Sequence, residues 1–357
     1  MRSLLKVWCR IRFQAVCSAV LAILLVCIIP PVSQGFASDK QVKATPDEDL
    51  RITFLDVGQA DALLMQKGDV DILVDAGRHY SGELKSAMEE ITDSLDLMII
   101  THPHADHYGG AAGILGDYDV DRVVTNGERR GPPRDRNTPV TWQRFVDAVD
   151  DAGLELEDWE AGEDVEMTDH LNFEVLSSGG DFDNTPSGTH INDDSLVIRA
   201  EYAERAILFA GDIEIAGGRK LVAEHCDNGA EDCPALQADI FQVPHHGSHH
   251  FYPDFFEATQ ARWAVFGSPY DNRQHHHPRI ETLEALVDQD VRIKSTNKEG
   301  GTNVVATIAT SGRIGWSIDD PEIFVWRTDG DPEVGKVCRI ENGGGDVDKD
   351  CQRHDEQ

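Results

Sequence analysis

Apolar and polar positions along this chain fall into short blocks whose period shifts between that of a strand and that of a helix. Residues 51–56 open with strand-like side chains, and 62–66 and 71–74 follow as the arms of a hairpin across Lys67-Gly68-Asp69. Residues 83–91 space their apolar positions helically, and 95–100 form an apolar run that stops at Thr101. A run of that kind predicts a buried strand that delivers a loop. Residues 120–124 predict a strand and 141–152 a helix, with an exposed loop rich in Gly, Pro and Arg between them at 127–139. In the second half, 171–176, 195–200, 206–210 and 240–243 predict strands, and 215–226, 253–259 and 280–288 predict helices. Strands mixed with helices in both halves predict an α/β fold of sheets covered by helices. No fixed repeat period argues for a solenoid. The periodicity fades near Asp319, so the domain is expected over 48–318, with 319–357 an acidic, Gly-rich C-terminal extension.

The N-terminus follows a different pattern. Arg2, Lys6, Arg10 and Arg12 precede an apolar stretch from Ala15 to Ile29, and Gly35-Phe36-Ala37 offers a cleavage site. Residues 1–37 therefore read as a signal peptide or an N-terminal membrane anchor, short for a spanning helix of roughly 20 apolar residues. Residues 38–47 read as a linker. On this reading the protein is exported to the periplasm, the extracellular space or the outer face of a membrane, and residues 1–37 engage the export machinery or the membrane. Cysteine usage agrees: Cys9, Cys17 and Cys27 lie in the leader, leaving Cys226, Cys233, Cys338 and Cys351. These form two local pairs in Asp- and Gly-rich stretches, and Cys226–Cys233 with Cys338–Cys351 is the preferred of three connectivities. Their intervals do not match zinc-ribbon spacing.

Charge changes the picture once more. The chain of 357 residues carries 65 acidic against 32 basic residues, a formal net charge of -33, with the acids spread throughout. Such a balance keeps a protein soluble, repels polyanions at long range and fits a salty medium. It also argues against tight, nonspecific DNA binding, which rests on Lys and Arg neutralising phosphates. The concentrated positive charge of the mature chain is Arg129, Arg130, Arg134 and Arg136, which is either a solvated loop or a clamp for an anionic substrate.

The candidate chemistry sits in the histidines. Ten of the fifteen fall in three clusters: His102, His104 and His107; His245, His246, His249 and His250; and His275, His276 and His277. His102 and His104, two apart in an extended segment, share a face. Asp106 and His107 then turn the corner and can serve a second cation. Mixed nitrogen and oxygen ligands suit zinc, manganese or iron. His249 and His250 read as loop residues.

His-x-His-x-Asp-His at 102–107, followed by Gly109-Gly110, resembles the signature of the metallo-β-lactamase superfamily. More narrowly, the chain is similar to the extracellular hydrolase domain of the DNA-uptake competence protein ComEC and its free-standing relatives. The pieces that carry this likeness are residues 54–62, Leu73-Val74-Asp75-Ala76-Gly77, 192–197, Leu208-Phe209-Ala210-Gly211-Asp212, Val243-Pro244-His245-His246-Gly247-Ser248 and His277-Pro278, in family order. The resemblance implies an αββα sandwich with two divalent metal ions, Zn²⁺ or Mn²⁺, at one edge. It implies His102 and His104 at the first ion, Asp106, His107 and His246 at the second, and Asp212 as the bridge. It further implies Asp75 orienting ligands and a substrate-facing His277, with either His245 or His246 binding metal and the other held behind it or facing substrate. Many family members supply a third histidine to the first site; here Asn192-Asp193-Asp194 occupies that region, so an oxygen from Asn192 or Asp194 is expected, with His190 as rival. The resemblance implies hydrolysis of phosphoesters, nucleic-acid phosphodiesters foremost, with Asp106, Asp212 and His277 in catalysis. Hydrolysis of a lactam, lactone or thioester, and a noncatalytic metal-binding surface module, stay open. No protein partner is expected.

Overall fold

The computed structural model describes residues 48–80, 82–89, 94–127, 139–179, 191–297, 301–318, 322–326, 335–339 and 351–353. The leader, the linker, His190 and the Arg129–Arg136 segment lie outside them. Among the described residues no helix is long and apolar enough to cross a membrane.

The first half contributes β1 (Leu50–Phe54), β2 (Ala62–Lys67), β3 (Val70–Ala76), β4 (Ser94–Leu95), β5 (Leu97–Ile100), β6 (Asp119–Val120), β7 (Val123–Thr125) and β8 (Leu156–Asp158). Its helices are α1 (Gly82–Met88), α2 (Ala105–Tyr108), α3 (Ala111–Asp117) and α4 (Pro139–Asp151). The second half adds β9 (Asp164–Thr168), β10 (Leu171–Ser177), β11 (Val197–Tyr202), β12 (Arg205–Phe209), β13 (Ile240–Gln242), β14 (Trp263–Phe266) and β15 (Arg292–Ser295). Helices α5 (Ile215–His225), α6 (Pro253–Thr259) and α7 (Ile280–Val287) lie among them in sequence. Strands β16 (Val304–Ile308) and β17 (Ile314–Trp316) then return to the first sheet. That sheet has eight strands in the order β17-β16-β1-β2-β3-β5-β7-β8, and the second has seven in the order β15-β14-β13-β12-β11-β10-β9.

Three packed layers of side chains make this an αββα sandwich. Ile72, Val74 and Ile99 of the first sheet meet Phe173, Ile198 and Phe209 of the second in the central layer. Leu73, Met98 and Ile100 turn the other way onto Leu84, Tyr108, Ile114 and Phe145 of α1–α4. Leu208, Phe241 and Phe266 pack on Leu221, Phe255, Phe256 and Leu283 of α5–α7. Strands buried on both faces lose the alternation of a half-exposed strand, which is why β5 reads as a plain apolar run.

Within the acidic, Gly-rich extension beyond Asp319, where the pattern fades, β18 (Glu322–Trp326), β19 (Gly335–Arg339) and β20 (Cys351–Arg353) form a three-stranded antiparallel sheet. Ile323 and Val325 join the layer under the second sheet, and Phe324 and Trp326 are equally buried on the opposite side of the strand. Burial on both faces again removes the period. The Cys226–Cys233 disulfide is present. Cys338 is also disulfide-bonded, and the β19–β20 ladder sets it opposite Cys351.

Candidate metal centre

Strands β3, β5 and β7 run parallel in one sheet, and β12, β13 and β14 in the other. Loops leaving their carboxyl ends converge at one edge of the sandwich, where α/β sheets characteristically bind ligands. Beyond β5 the chain bends through His102 and Pro103, with the His104 amide donating to the His102 carbonyl, and His104 is extended before the single turn of α2 swings Asp106 and His107 round. After β12 comes Gly211, at φ +51°, where a Cβ would stand 2.8 Å from Ser195 Cβ and 3.2 Å from Thr101 Cβ. A side chain there would push the two sheets' loops apart, so glycine lets Asp212 reach the centre. The Asp212 amide donates to Ser195 Oγ at 3.1 Å.

Two groups of ligand atoms gather around Asp212: His102, His104 and Asp212, and Asp61, His107, Asp212 and His246. Nε2 of His102 lies 3.0 Å from His104 Nδ1 and 3.8 Å from Asp212 Oδ2. Nε2 of His107 lies 3.2 Å from Asp212 Oδ2, and His246 Nε2 lies 3.9 Å from both Asp212 Oδ2 and Asp106 Oδ2. His107 Nε2, His246 Nε2 and Asp212 Oδ1 are buried with no hydrogen-bond partner. Orphaned polar atoms that converge in this way are costly unless something binds them, so the residues fit a pair of divalent ions.

Asp61 belongs to the second group by distance, but His246 argues against it as a ligand. Nδ1 of His246 faces the Gly267 carbonyl at 3.0 Å and Asp61 Oδ1 at 3.5 Å, while Gln242 donates to Asp61 Oδ2. Asp61 therefore holds the far side of the ring, the usual place of a carboxylate that orients a ligating imidazole. Asp106 stands outside that group but faces its Nε2 side, with Oδ2 3.9 Å from His246 Nε2 and taking a hydrogen bond from Arg78 at 3.4 Å. Asp75 does for His107 what Asp61 does for His246. Its Oδ2 lies 2.7 Å from His107 Nδ1, and Thr101 pins the carboxylate through its amide and hydroxyl.

Asp194, the expected oxygen ligand at the first site, lies outside both groups of converging atoms. The Asn192-Asp193-Asp194 run also makes structural contacts. Asp193 Oδ1 accepts from the amides of Glu214 and Gly217 at the start of α5, Asn126 donates to the Asp194 carbonyl, and Asn192 donates to Glu214 Oε1 at 3.0 Å. Glu214 also receives His245 Nδ1 at 2.9 Å, which leaves His245 Nε2 4.0 Å from Asp212. The sequence reading missed Glu214 and Asp61 as orienting groups, although Asp61 lies inside the 54–62 motif and Glu214 two residues beyond Asp212. His277 is 8% exposed, sits 5.2 Å ring to ring from His245, and has Gln59 Nε2 3.2 Å from its Nδ1. His249 and His250 meet ring to ring at 4.1 Å, tilted by 52°, and belong to neither group, although His250 Nδ1 lies 4.0 Å from Glu214 Oε1. Beside the centre, Gln59, Arg78, His79, Gln274 and His275 line a cavity of about 530 Å³.

Electrostatics follow the burial. Desolvation drives His102 well below the ordinary imidazole value, and drives His277 down to about 2 with help from His245 and His246. Burial opposes charge on His246 too, but Asp61 and Asp212 overcome it and lift that ring to about 9. His107 is raised in the same way, against burial, by Asp212 and Asp75. Burial raises Glu214, but the hydrogen bond and charge of His245 outweigh it and keep the carboxyl low. Asp75, His245, His246 and His276 all have positive φ, from 50° to 58°. Strain of this sort costs of order 1–3 kcal/mol per residue and gathers at functional sites.

A family model described as Metallo-beta-lactamase superfamily matches residues 55–252. ComE operon protein 3 of Bacillus subtilis is 26% identical over 272 residues, which span 70% of this chain and 32% of that protein. Competence protein ComA of Neisseria gonorrhoeae is 24% identical over 273 residues, spanning 74% and 33%. The chain thus matches about a third of the length of these curated relatives. The solved structure of the metallo-beta-lactamase fold protein YhfI from Bacillus subtilis superimposes with a TM-score of 0.46 at 12% identity, covering 72% of this chain and all of that one (100%).

Proposed function

From the premise that this chain belongs to the metallo-beta-lactamase superfamily, we propose that it is an exported hydrolase using two divalent ions, Zn²⁺ or Mn²⁺, to cleave phosphoesters such as nucleic-acid phosphodiesters. The observation that carries this reading is Asp212, one buried carboxylate shared by two histidine groups, whose Oδ1 lacks a hydrogen-bond partner together with Nε2 of His107 and His246. His102, His104 and Asp212 would hold the first ion, and His107, His246, Asp212 and Asp106 the second. Such a pair supplies Lewis acidity toward phosphoryl oxygens and lowers the pKa of water, chemistry suited to in-line displacement.

The protein's own groups set the geometry around that pair. Asp75 and Asp61 fix the rings of His107 and His246 so that each presents Nε2. Glu214, kept ionised, holds His245 by Nδ1. His277 is held neutral by burial, and with Nδ1 accepting from Gln59 its Nε2 carries the proton. It therefore donates a hydrogen bond to charge developing on a substrate oxygen, rather than delivering a proton. The cavity beside the centre, with Arg78, gives an anionic group a place to rest. The likeness to competence proteins supports a nucleic-acid substrate, and the Cys226–Cys233 disulfide supports an oxidising compartment.

The test is a substrate screen on protein loaded with Zn²⁺ or Mn²⁺. Hydrolysis of a chromogenic phosphodiester and of single-stranded DNA, abolished by EDTA, is expected. Activity on DNA should persist or rise at high salt, because screening weakens repulsion from the acidic surface. An enzyme that ignores DNA, RNA and the chromogenic ester yet opens a lactam or lactone would overturn the phosphoester reading. Export predicts a mature N-terminus near Ser38 and no free thiol by intact mass.

A further inference from the structure

The three-stranded C-terminal sheet lies outside the residues matched by the family model, yet its first strand is bound to the loop that carries His277. That loop leaves β14 after Phe266 and re-enters helix at Ile280, and residues 275–277 are its histidines. Both of its ends are tied to β18. At the start, the buried Asn297 side chain receives the Phe324 amide at 2.9 Å, donates to the Phe324 carbonyl at 3.2 Å, and donates to the Pro269 carbonyl at 2.9 Å. Asn297 thus joins strand to loop like a length of shared backbone. At the end, the Trp326 amide donates to the Pro278 carbonyl at 2.9 Å, and Arg279 bridges to Trp326. Between these anchors, Tyr270 meets the Phe324 ring at 5.0 Å and His276 meets the Trp326 ring at 4.6 Å. On its other side the loop rests on the loop that carries His246, with the Arg279 amide donating to the Gly247 carbonyl at 2.8 Å. Trp326, 1% exposed, therefore backs a segment wedged between the candidate metal centre and the C-terminal sheet.

We propose that the C-terminal sheet is a brace that positions His277, with Trp326 the positioning residue that acts through the His276–Pro278 segment. The kinetic part rests on the hydrolase reading above; the structural part does not. A loop of irregular backbone with a strained His276 would otherwise be free to adopt other conformations, and a displacement of about 1 Å at a substrate-facing group can cost a hundredfold in rate. No residue of the brace belongs to either ligand group, so its loss should spare the ions.

The experiment uses the full-length chain and its Trp326→Ala and Trp326→Phe variants, each alone and combined with His277→Ala. Modification of His277 by diethyl pyrocarbonate, mapped by tandem mass spectrometry, should be slow in the parent and about tenfold faster in Trp326→Ala, with Trp326→Phe close to the parent, because local opening governs access. Metal content should be unchanged. On the phosphodiester, Trp326→Ala should lower kcat about tenfold with little change in KM, and should cost nothing further in the His277→Ala background, since the two act as one unit. Equal modification rates, or additive kinetic losses, would overturn the brace. If Trp326→Ala does not fold, Trp326→Leu fills the same core but removes the ring against His276, and the same outcomes decide. A chain inert on every phosphoester would overturn the hydrolase reading, while the modification rates would still judge the brace.

Discussion

Strands β11 and β12 carry polar clusters at both ends, and the two ends behave differently. At one end lie Ser195, Gly211 and Asp212. At the other, Arg199, Glu201, Tyr202 and Arg205 help line a cavity of about 760 Å³, larger than the one beside the candidate centre. There the charges satisfy each other: Arg199 pairs with Glu201 and the Gln237 carbonyl, and Arg205 with Asp239 and the Gly312 carbonyl. At the Asp212 end the polar atoms are buried, and His107 Nε2, His246 Nε2 and Asp212 Oδ1 lack well-formed hydrogen bonds. Volume alone would choose the wrong end. Unsatisfied, converging, desolvated ligands choose the right one, because a fold keeps them only where something else supplies the missing bonds.

Mutation should widen that difference. Asp212→Ala should reduce hydrolysis to background and metal content from about two ions toward none, since both groups share it; elemental analysis and the phosphodiester assay check this. Retention of both ions would mean that Asp212 is not the bridge. Asp75→Asn should keep the ions' direct ligands but loosen His107, costing about 10- to 100-fold in metal affinity or activity, read by competition with a chromophoric chelator. The third test is pH. In the metal-free protein His246 is protonated below about 9, so ion binding there must displace a proton. Apparent affinity should therefore fall as pH drops from 9, and calorimetry in buffers of different ionisation enthalpy should show proton release. The raised value also means that the charged ring's contribution to metal-free stability is complete below about 6.5, the unfolded value, and is lost as pH climbs through 9. Smallest of all, Arg199→Gln at the far cavity should leave kcat and KM unchanged and alter stability by less than about 1 kcal/mol, as partly exposed ion pairs do. His249→Ala should be equally quiet. A dead His249 variant would place the second histidine cluster differently from the arrangement drawn here.

The sequence by itself determined the α/β class and the first-half hairpin, because these depend on local period; spacing along one short segment marked the 102–107 run as candidate ligands, and the sandwich followed from the family resemblance. It also marked Asp75, Asp212, His246 and His277 through motifs that resemble a family. It did not reveal β14 to β17, of which β15 and β17 are short strands at sheet edges, nor β18, where burial on both faces erased the period. The choice between Asp61 and Asp106 could not be read from spacing, since it turns on which nitrogen of His246 faces which carboxylate. Nor could spacing show that Asn192 and Asp193 serve Glu214 and the start of α5, while Asp194 lies outside both ligand groups. These are contacts between residues tens or hundreds of positions apart, set by how two sheets and their loops pack, and only the tertiary structure brings their atoms to one point.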